Sequence, residues 1–100
     1  DPARRGTARD VAKTAWAMGR LKHCDRPVQE KLAEETLRRL DDLEPQGLSN
    51  IIWSYAYTSA PPRHVLTAVL GEFRAKLQAC DPQALGNVSW ACAKLVVLNV

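Results

Sequence analysis

The sequence predicts an all-α protein, an α-solenoid in which about five helices stack as helical hairpins. A tryptophan-bearing segment recurs, apolar residues around it follow the helical period, and no stretch alternates as a strand would. The three tryptophans are Trp16, Trp53 and Trp90, and both intervals are 37 residues. A fixed period of this length is typical of stacked repeats, which bury their apolar faces against neighbouring units.

The repeated segment is clearest in two copies. Residues 48–56 read LSNIIWSYA and residues 85–93 read LGNVSWACA, each after a Pro-Gln pair. A degenerate copy, VAKTAWAMG, lies at residues 11–19. The sequence therefore predicts one domain of two and a half units over residues 1–100. The unit boundaries fall at about 8–44, 45–81 and, incomplete, 82–100.

Each predicted helix has its own start or stop signal. Thr7 is a plausible N-cap of the first helix, and Gly19 and the following loop end it. Prolines suit the first turn of the later helices, and Glu44 and Asp81 stand just before two of them, where negative charge is favourable. The predicted spans are about Thr7–Leu21, Pro27 to Leu40 or Asp42, Pro45–Thr58, Pro62–Gln78 and Pro82–Val97.

Composition limits the class of protein. One hundred residues with net charge +3 suit one domain, and residues 1–22, with six basic and two acidic groups, carry a local excess of +4. No apolar run approaches the roughly 20 residues of a membrane helix, so no direct membrane insertion is expected.

Cys24, Cys80 and Cys92 lack paired spacing and are expected to be reduced. Because the sequence opens at Asp1, it is expected to be a processed form or a fragment.

The sequence indicates no enzyme, metal site or cofactor. His23 and His64 are the only histidines, and they fall at different positions of the repeat. His23 stands beside Cys24, but neighbours in sequence do not normally present an activated nucleophile. No glycine-rich phosphate-binding loop is present in the sequence either.

The pattern Pro-Gln-x-Leu-x-Asn-x-x-Trp-x-x-Ala at residues 45–56 and 82–93 resembles the octotricopeptide-repeat family and its relative, the 37-residue heptatricopeptide repeats. Pro61-Pro62 is similar to the proline-rich junction before the second helix of such repeats. The resemblance implies an α-solenoid that binds RNA in mitochondria, the favoured location, or in chloroplasts. Protein-binding tetratricopeptide repeats are the nearest competitor, but their period is 34 residues and their Trp-x-x-Leu-Gly pattern is missing here.

Candidate RNA contacts follow from the helical period, since residues three and four apart share a face. Amides and cations on the stripe of the tryptophans can pair with base edges or neutralise phosphate. The tryptophans recur unchanged and are therefore interpreted as packing residues that wedge between hairpins, with platforms for base stacking as the alternative. The predicted RNA contacts are Arg9, Lys13, Arg20, Gln46, Asn50, Tyr57, Gln83, Asn87 and Lys94.

Two functions remain open from the sequence. The first is a small subunit of a ribonucleoprotein, such as an organellar ribosome, that contacts rRNA or mRNA. The alternative is a structural or assembly subunit that binds protein partners within an organellar complex, either membrane-associated or not. The apolar end of the last helix is expected to be capped by another protein through Leu95, Val96 and Leu98.

Overall fold

The computed structural model describes the backbone of residues 2–21, 25–57 and 63–98, and the side chains of residues 7–20, 25–57 and 63–95. These residues form helices and turns but no strand, which confirms the all-α prediction. The helices are α1 (Pro2–Leu21), α2 (Arg26–Arg38), α3 (Pro45–Tyr55), α4 (Arg63–Ala75) and α5 (Pro82–Leu98). Short 3₁₀ turns follow α2 at Leu40–Asp42 and α4 at Leu77–Ala79.

Helix α1 begins earlier than the sequence predicts. Pro2 takes the first helical position, which suits proline, so Thr7 lies inside the helix and does not cap it. Gly19 does not end the helix either, since α1 continues for two more residues to Leu21. Gly19 is itself buried. Residues 22–24, where the sequence predicts the loop after α1, and the prolines at 61 and 62 lie outside the described residues.

Two helix starts are capped by an aspartate. Asp25 Oδ1 accepts a 3.1 Å hydrogen bond from the backbone N–H of Val28. Asp81 Oδ1 accepts one of 2.7 Å from the N–H of Ala84. These bonds satisfy amides that have no partner inside the helix. Glu44 precedes α3 but makes no such side-chain bond, so its predicted contribution is limited to its charge near the helix start.

Tight turns end α2, α3 and α4 sooner than predicted. The N–H of Ala56 donates to the carbonyl of Trp53 and that of Tyr57 to the carbonyl of Ser54, both at 3.0 Å. These are i to i+3 bonds, so the chain leaves α-helical geometry after residue 55. Helices α2 and α4 likewise give way to 3₁₀ turns where single longer helices are predicted.

The helices form two layers. The tryptophan-bearing helices, called the A helices, lie side by side, with α1 against α3 and α3 against α5. The other two, called the B helices, contact each other, and α2 also contacts α1 while α4 contacts α3. Helices that occupy equivalent positions of the 37-residue sequence period are therefore neighbours.

The core lies between these layers. Its largest fully buried apolar side chains are Leu43, Leu48, Ile51, Ile52, Val65 and Val69. The α3 members of this set form the apolar stripe that the helical period predicts, opposite the stripe of Trp53. Leu77 is also predicted to be buried by the period of α4 but is exposed, because the helix has already ended and Leu77 opens the second 3₁₀ turn.

Lys76 fixes the end of α4 against the turn after α2. Its Nζ donates to the backbone carbonyls of Asp41 at 2.9 Å and Leu43 at 2.6 Å. The same Nζ lies 3.0 Å from Oε2 of Glu72. Hydrogen bonds from a charged donor stabilise more than neutral ones, so this contact holds the two hairpins in register.

Ser49 on α3 is buried, and its hydroxyl has no hydrogen-bond partner among the described residues. The change Ser49→Ala removes this unsatisfied group and is expected to raise the free energy of unfolding by about 1 kcal/mol. Ala12, at the equivalent position one repeat earlier, is also buried, so a methyl group fits such a site.

Urea unfolding of Ser49→Ala measures this effect. The control is Ser54→Ala, since the hydroxyl of Ser54 donates a 2.7 Å hydrogen bond to the carbonyl of Ile51, and its removal should bring no gain. A less stable Ser49→Ala protein would contradict the prediction.

Candidate nucleic-acid interface

Four positions of the repeat define one surface of the A helices, called here the A-face. Its side chains are exposed or half-buried throughout. The A-face comprises Arg9, Lys13, Trp16 and Arg20 from α1, Gln46, Asn50, Trp53 and Tyr57 from α3 and the turn after it, and Gln83, Asn87, Trp90 and Lys94 from α5. It thus contains the nine predicted RNA contacts and the three tryptophans.

Four rings of the A-face form a continuous aromatic row across α1, α3 and α5. The ring centroids of Trp16 and Trp53 are 6.3 Å apart, with 26° between the ring planes. Trp53 lies 4.5 Å from Tyr57, and Tyr57 lies 5.5 Å from Trp90 with an interplanar angle of 30°. Contacts of this kind stabilise beyond the area they bury, so the row also joins neighbouring A helices.

A cation stands at each end of the aromatic row. The guanidinium carbon of Arg20 is 5.3 Å from the ring centroid of Trp16. At the other end, Nζ of Lys94 is 4.3 Å from the centroid of Tyr57 and 5.1 Å from that of Trp90. All three distances are within the range of cation–π attraction. The row therefore carries positive charge beside π surfaces, as a site for an anionic, ring-bearing ligand requires.

Beside the row, a cleft of about 250 Å³ lies between α1 and α3. Polar side chains of the A-face line it, and within it the amide nitrogen Nε2 of Gln46 donates to Oδ1 of Asn50 at 3.2 Å. Two acidic residues line it together with two basic ones, so the cleft has no excess positive charge. Its charged lining residues are Arg9, Lys13, Asp42 and Glu44.

The structure places seven of the nine predicted RNA contacts in the cleft or against the aromatic row. The other two, Gln83 and Asn87, lie on α5 about two turns and one turn before Trp90. They continue the A-face along α5, but none of the described contacts joins them to the cleft or the row.

The tryptophans are the residues of the A-face that the predicted RNA contacts leave out. Trp16 and Trp90 contact rings of the neighbouring A helix, as packing residues would, but they are 42% and 45% exposed and are therefore not buried between hairpins. Trp53 is half-buried and meets Trp16 at the surface of the layer. A signal was present in the sequence, because the rings share the polar stripe of their helices and not the apolar one.

The structure also removes one residue from the protein interface predicted at the end of α5. Leu95 is 6% exposed and packs in the core, because the helical period turns it to the same side of α5 as the buried Val88 and Ala91. Leu95 is therefore not free to meet a partner. The side chains of Val96 and Leu98 lie outside the described residues, so their role stays a prediction.

Other reactive groups form no second site in the described part of the chain. His64 is exposed, and no cluster of three potential metal ligands occurs among the residues searched. Burial raises the pKa of the Cys92 thiol, which disfavours the reactive thiolate. His23 and Cys24 lie outside the described residues. None of the described helices is long and apolar enough to cross a membrane.

Comparisons with protein-family models, with curated proteins and with solved structures found no match. The octotricopeptide-like pattern therefore stays a prediction from the residues that carry it. The functional proposal depends on the A-face itself.

Proposed function

We propose that this chain binds single-stranded RNA through the A-face. The observation that carries the proposal is the aromatic row, which is open to solvent at Trp16 and Trp90 and flanked by Arg20 and Lys94. Stacking of a base on an aromatic side chain contributes about 1–3 kcal/mol and tolerates any base. The two cations would neutralise phosphates on either side of the stacked bases.

The cleft would have a different role from the row. Its basic residues face Asp42 and Glu44, so it attracts phosphate less than Arg20 and Lys94 do. The amides of Gln46 and Asn50 retain donor and acceptor capacity beyond their mutual bond and can pair with a base edge. The row would thus supply most of the affinity, and the amides would supply sequence preference.

The small size of the A-face favours a role within a larger assembly. If each unit engages one base, the chain holds about three, which gives weak binding alone. We therefore place it in a larger ribonucleoprotein such as an organellar ribosome, with the mitochondrion favoured over the chloroplast. The contacts between successive A helices and the resemblance to octotricopeptide repeats support an α-solenoid with the A-face as its binding surface.

Replacing Trp90 by alanine tests the proposal. Trp90→Ala removes a terminal ring of the row and is expected to raise the Kd for a short unstructured RNA about tenfold, because one stacked base is lost. Fluorescence anisotropy with a labelled single-stranded RNA at fixed salt measures this. Leu77→Ala is the matched control, since Leu77 is as exposed as Trp90 and lies outside the A-face.

An equal effect of the two substitutions, or none for Trp90→Ala, would contradict RNA binding through the row. Binding by the parent chain must also weaken as salt is added, because phosphate contacts release counterions. Affinity that is independent of salt would point away from a nucleic acid.

The second candidate is a protein-binding scaffold. Exposed leucines favour it, namely Leu85 on α5 and Leu77 in the second 3₁₀ turn, which precedes α5 in the chain. Docking through these residues should persist at high salt and fail in Leu85→Asp, whereas RNA binding through the row should have the opposite sensitivities.

A further inference from the structure

The cleft between α1 and α3 is apolar at its base and polar at its edge. Its buried lining residues are Ala12 and Leu43. A Cβ atom at Gly47 would lie 3.3 Å from Cβ of Ala12 and 3.4 Å from Cδ2 of Leu43, so Gly47 belongs to the same base. The exposed lining residues are Arg9, Lys13, Glu44 and Gln46. A flat ligand with an apolar face and a polar edge fits such a surface, and a nucleobase has both.

The polar edge of the cleft carries both signs of charge. Its cations come from α1, and its carboxylates come from the turn before α3 and from the residue that precedes this helix. Glu44 is exposed and makes no side-chain hydrogen bond to the start of α3. A carboxylate only accepts hydrogen bonds, whereas an ammonium or guanidinium group only donates them. The cleft therefore suits a neutral ligand that donates at one part of its edge and accepts at another, which a phosphate does not.

Among the RNA bases, guanine has an edge divided in this way. Its O6 and N7 are adjacent acceptors, the pair that Arg or Lys binds. Its N1–H and N2 amino group are adjacent donors, which one carboxylate can accept together. Uracil has a single N–H between two carbonyl oxygens, so a carboxylate that binds it also meets a carbonyl oxygen. Adenine and cytosine each offer a carboxylate only one amino group.

We infer that the cleft binds a guanine base of the RNA. Glu44 accepts from N1–H and the N2 amino group, and Lys13 donates to O6 and N7. The inference rests on the proposed function, because RNA bound to the A-face must bring the base to the cleft. The 3.2 Å bond from Gln46 to Asn50 holds the two amides of the α3 wall in place beside the base.

The position of the cleft fits a base that adjoins the stacked ones. Lys13 precedes Trp16 by three residues, and Asn50 precedes Trp53 by three residues. The cleft therefore lies about one helical turn from these two rings of the aromatic row. A base stacked on the row and a guanine in the cleft would be neighbours along one RNA strand.

Guanine analogues in a short oligouridine test the inference. Fluorescence anisotropy at fixed salt compares the all-uridine strand with strands that carry one guanosine, inosine or 7-deazaguanosine. Guanosine is expected to lower the Kd about tenfold relative to uridine. Inosine lacks the N2 amino group and 7-deazaguanosine lacks N7, so each should bind about threefold more weakly than guanosine.

Two variants of the full chain assign these losses to side chains. Glu44→Ala should remove the difference between guanosine and inosine, because no carboxylate remains to accept from the N2 amino group. Lys13→Met should remove the difference between guanosine and 7-deazaguanosine. Glu30→Ala is the matched control, since Glu30 is an exposed carboxylate on α2 outside the cleft and should leave both differences intact.

The outcomes separate this inference from the proposed function. Equal Kd values for strands with and without guanosine would overturn the guanine assignment, and RNA binding through the row would stand if Trp90→Ala still weakened it. A guanosine preference unchanged in both Glu44→Ala and Lys13→Met would also overturn the assignment, because the base would then bind elsewhere. Failure of every strand to bind would overturn the proposed function together with the inference.

Discussion

Replacing Gly19 by valine is expected to lower the free energy of unfolding by about 3 kcal/mol. A Cβ atom at Gly19 would lie 2.8 Å from Cα of Ser54, 3.0 Å from its Cβ and 3.3 Å from Cζ3 of Trp53. The nearest of these atoms belongs to the backbone of α3, so α1 must move away to make room. The effect is measured as the shift in urea unfolding between parent and variant.

Gly71→Ala is the matched control for this prediction. Gly71 lies inside α4, and a Cβ there would meet nothing within 4 Å. This change should raise the free energy of unfolding by about 0.5–1 kcal/mol, because alanine favours a helix over glycine. If Gly19→Val does not fold, Gly19→Ala measures a smaller loss at the same contact. A stabilised Gly19→Ala protein would contradict the close approach of α1 and α3.

Alkaline pH is expected to remove between about 2 and 3 kcal/mol of stability through Tyr55. Burial raises the pKa of Tyr55 from the usual 10.0 to about 12. The folded protein therefore keeps the phenol proton where the unfolded chain has lost it. This contribution is fully present below about pH 10 and declines as pH rises through 12, where the buried phenol also ionises.

Urea unfolding at a series of pH values from 8 to about 11 checks this dependence, as the slope of stability against pH. Tyr55→Phe should flatten the decline, since it removes the titrating group. Tyr57→Phe should keep it, because this substitution leaves the buried phenol of Tyr55 in place. Equal slopes in all three proteins would assign the alkaline loss to other groups.

The helices are predictable from the sequence because local signals agree with burial. Proline at the first position and an acidic residue before it mark α3 and α5. Apolar spacing identifies Leu48, Ile51 and Ile52 as core residues. The helix ends are less predictable, since i to i+3 bonds such as that from Ala56 to Trp53 depend on packing that sequence does not reveal.

The surface is predictable only in part. The helical period places Lys13, Asn50 and Trp53 on polar stripes, but it does not show which stripes meet when A helices pack. The aromatic row exists because α1, α3 and α5 are neighbours, which is a tertiary fact. Because the tryptophans recur at a fixed interval, the sequence favours a packing role for them. Trp16 and Trp90 do contact rings of the neighbouring A helix, but they are also exposed to solvent.

The bonds from Lys76 to the turn carbonyls connect residues 35 and 33 positions apart. They persist only while α4 and the turn after α2 are both in place, so fraying of either segment removes support from the other. Such mutual dependence makes melting cooperative across the boundary between repeats. The two hairpins should therefore exchange their core amide hydrogens at a common rate set by global opening, with no repeat opening ahead of its neighbour.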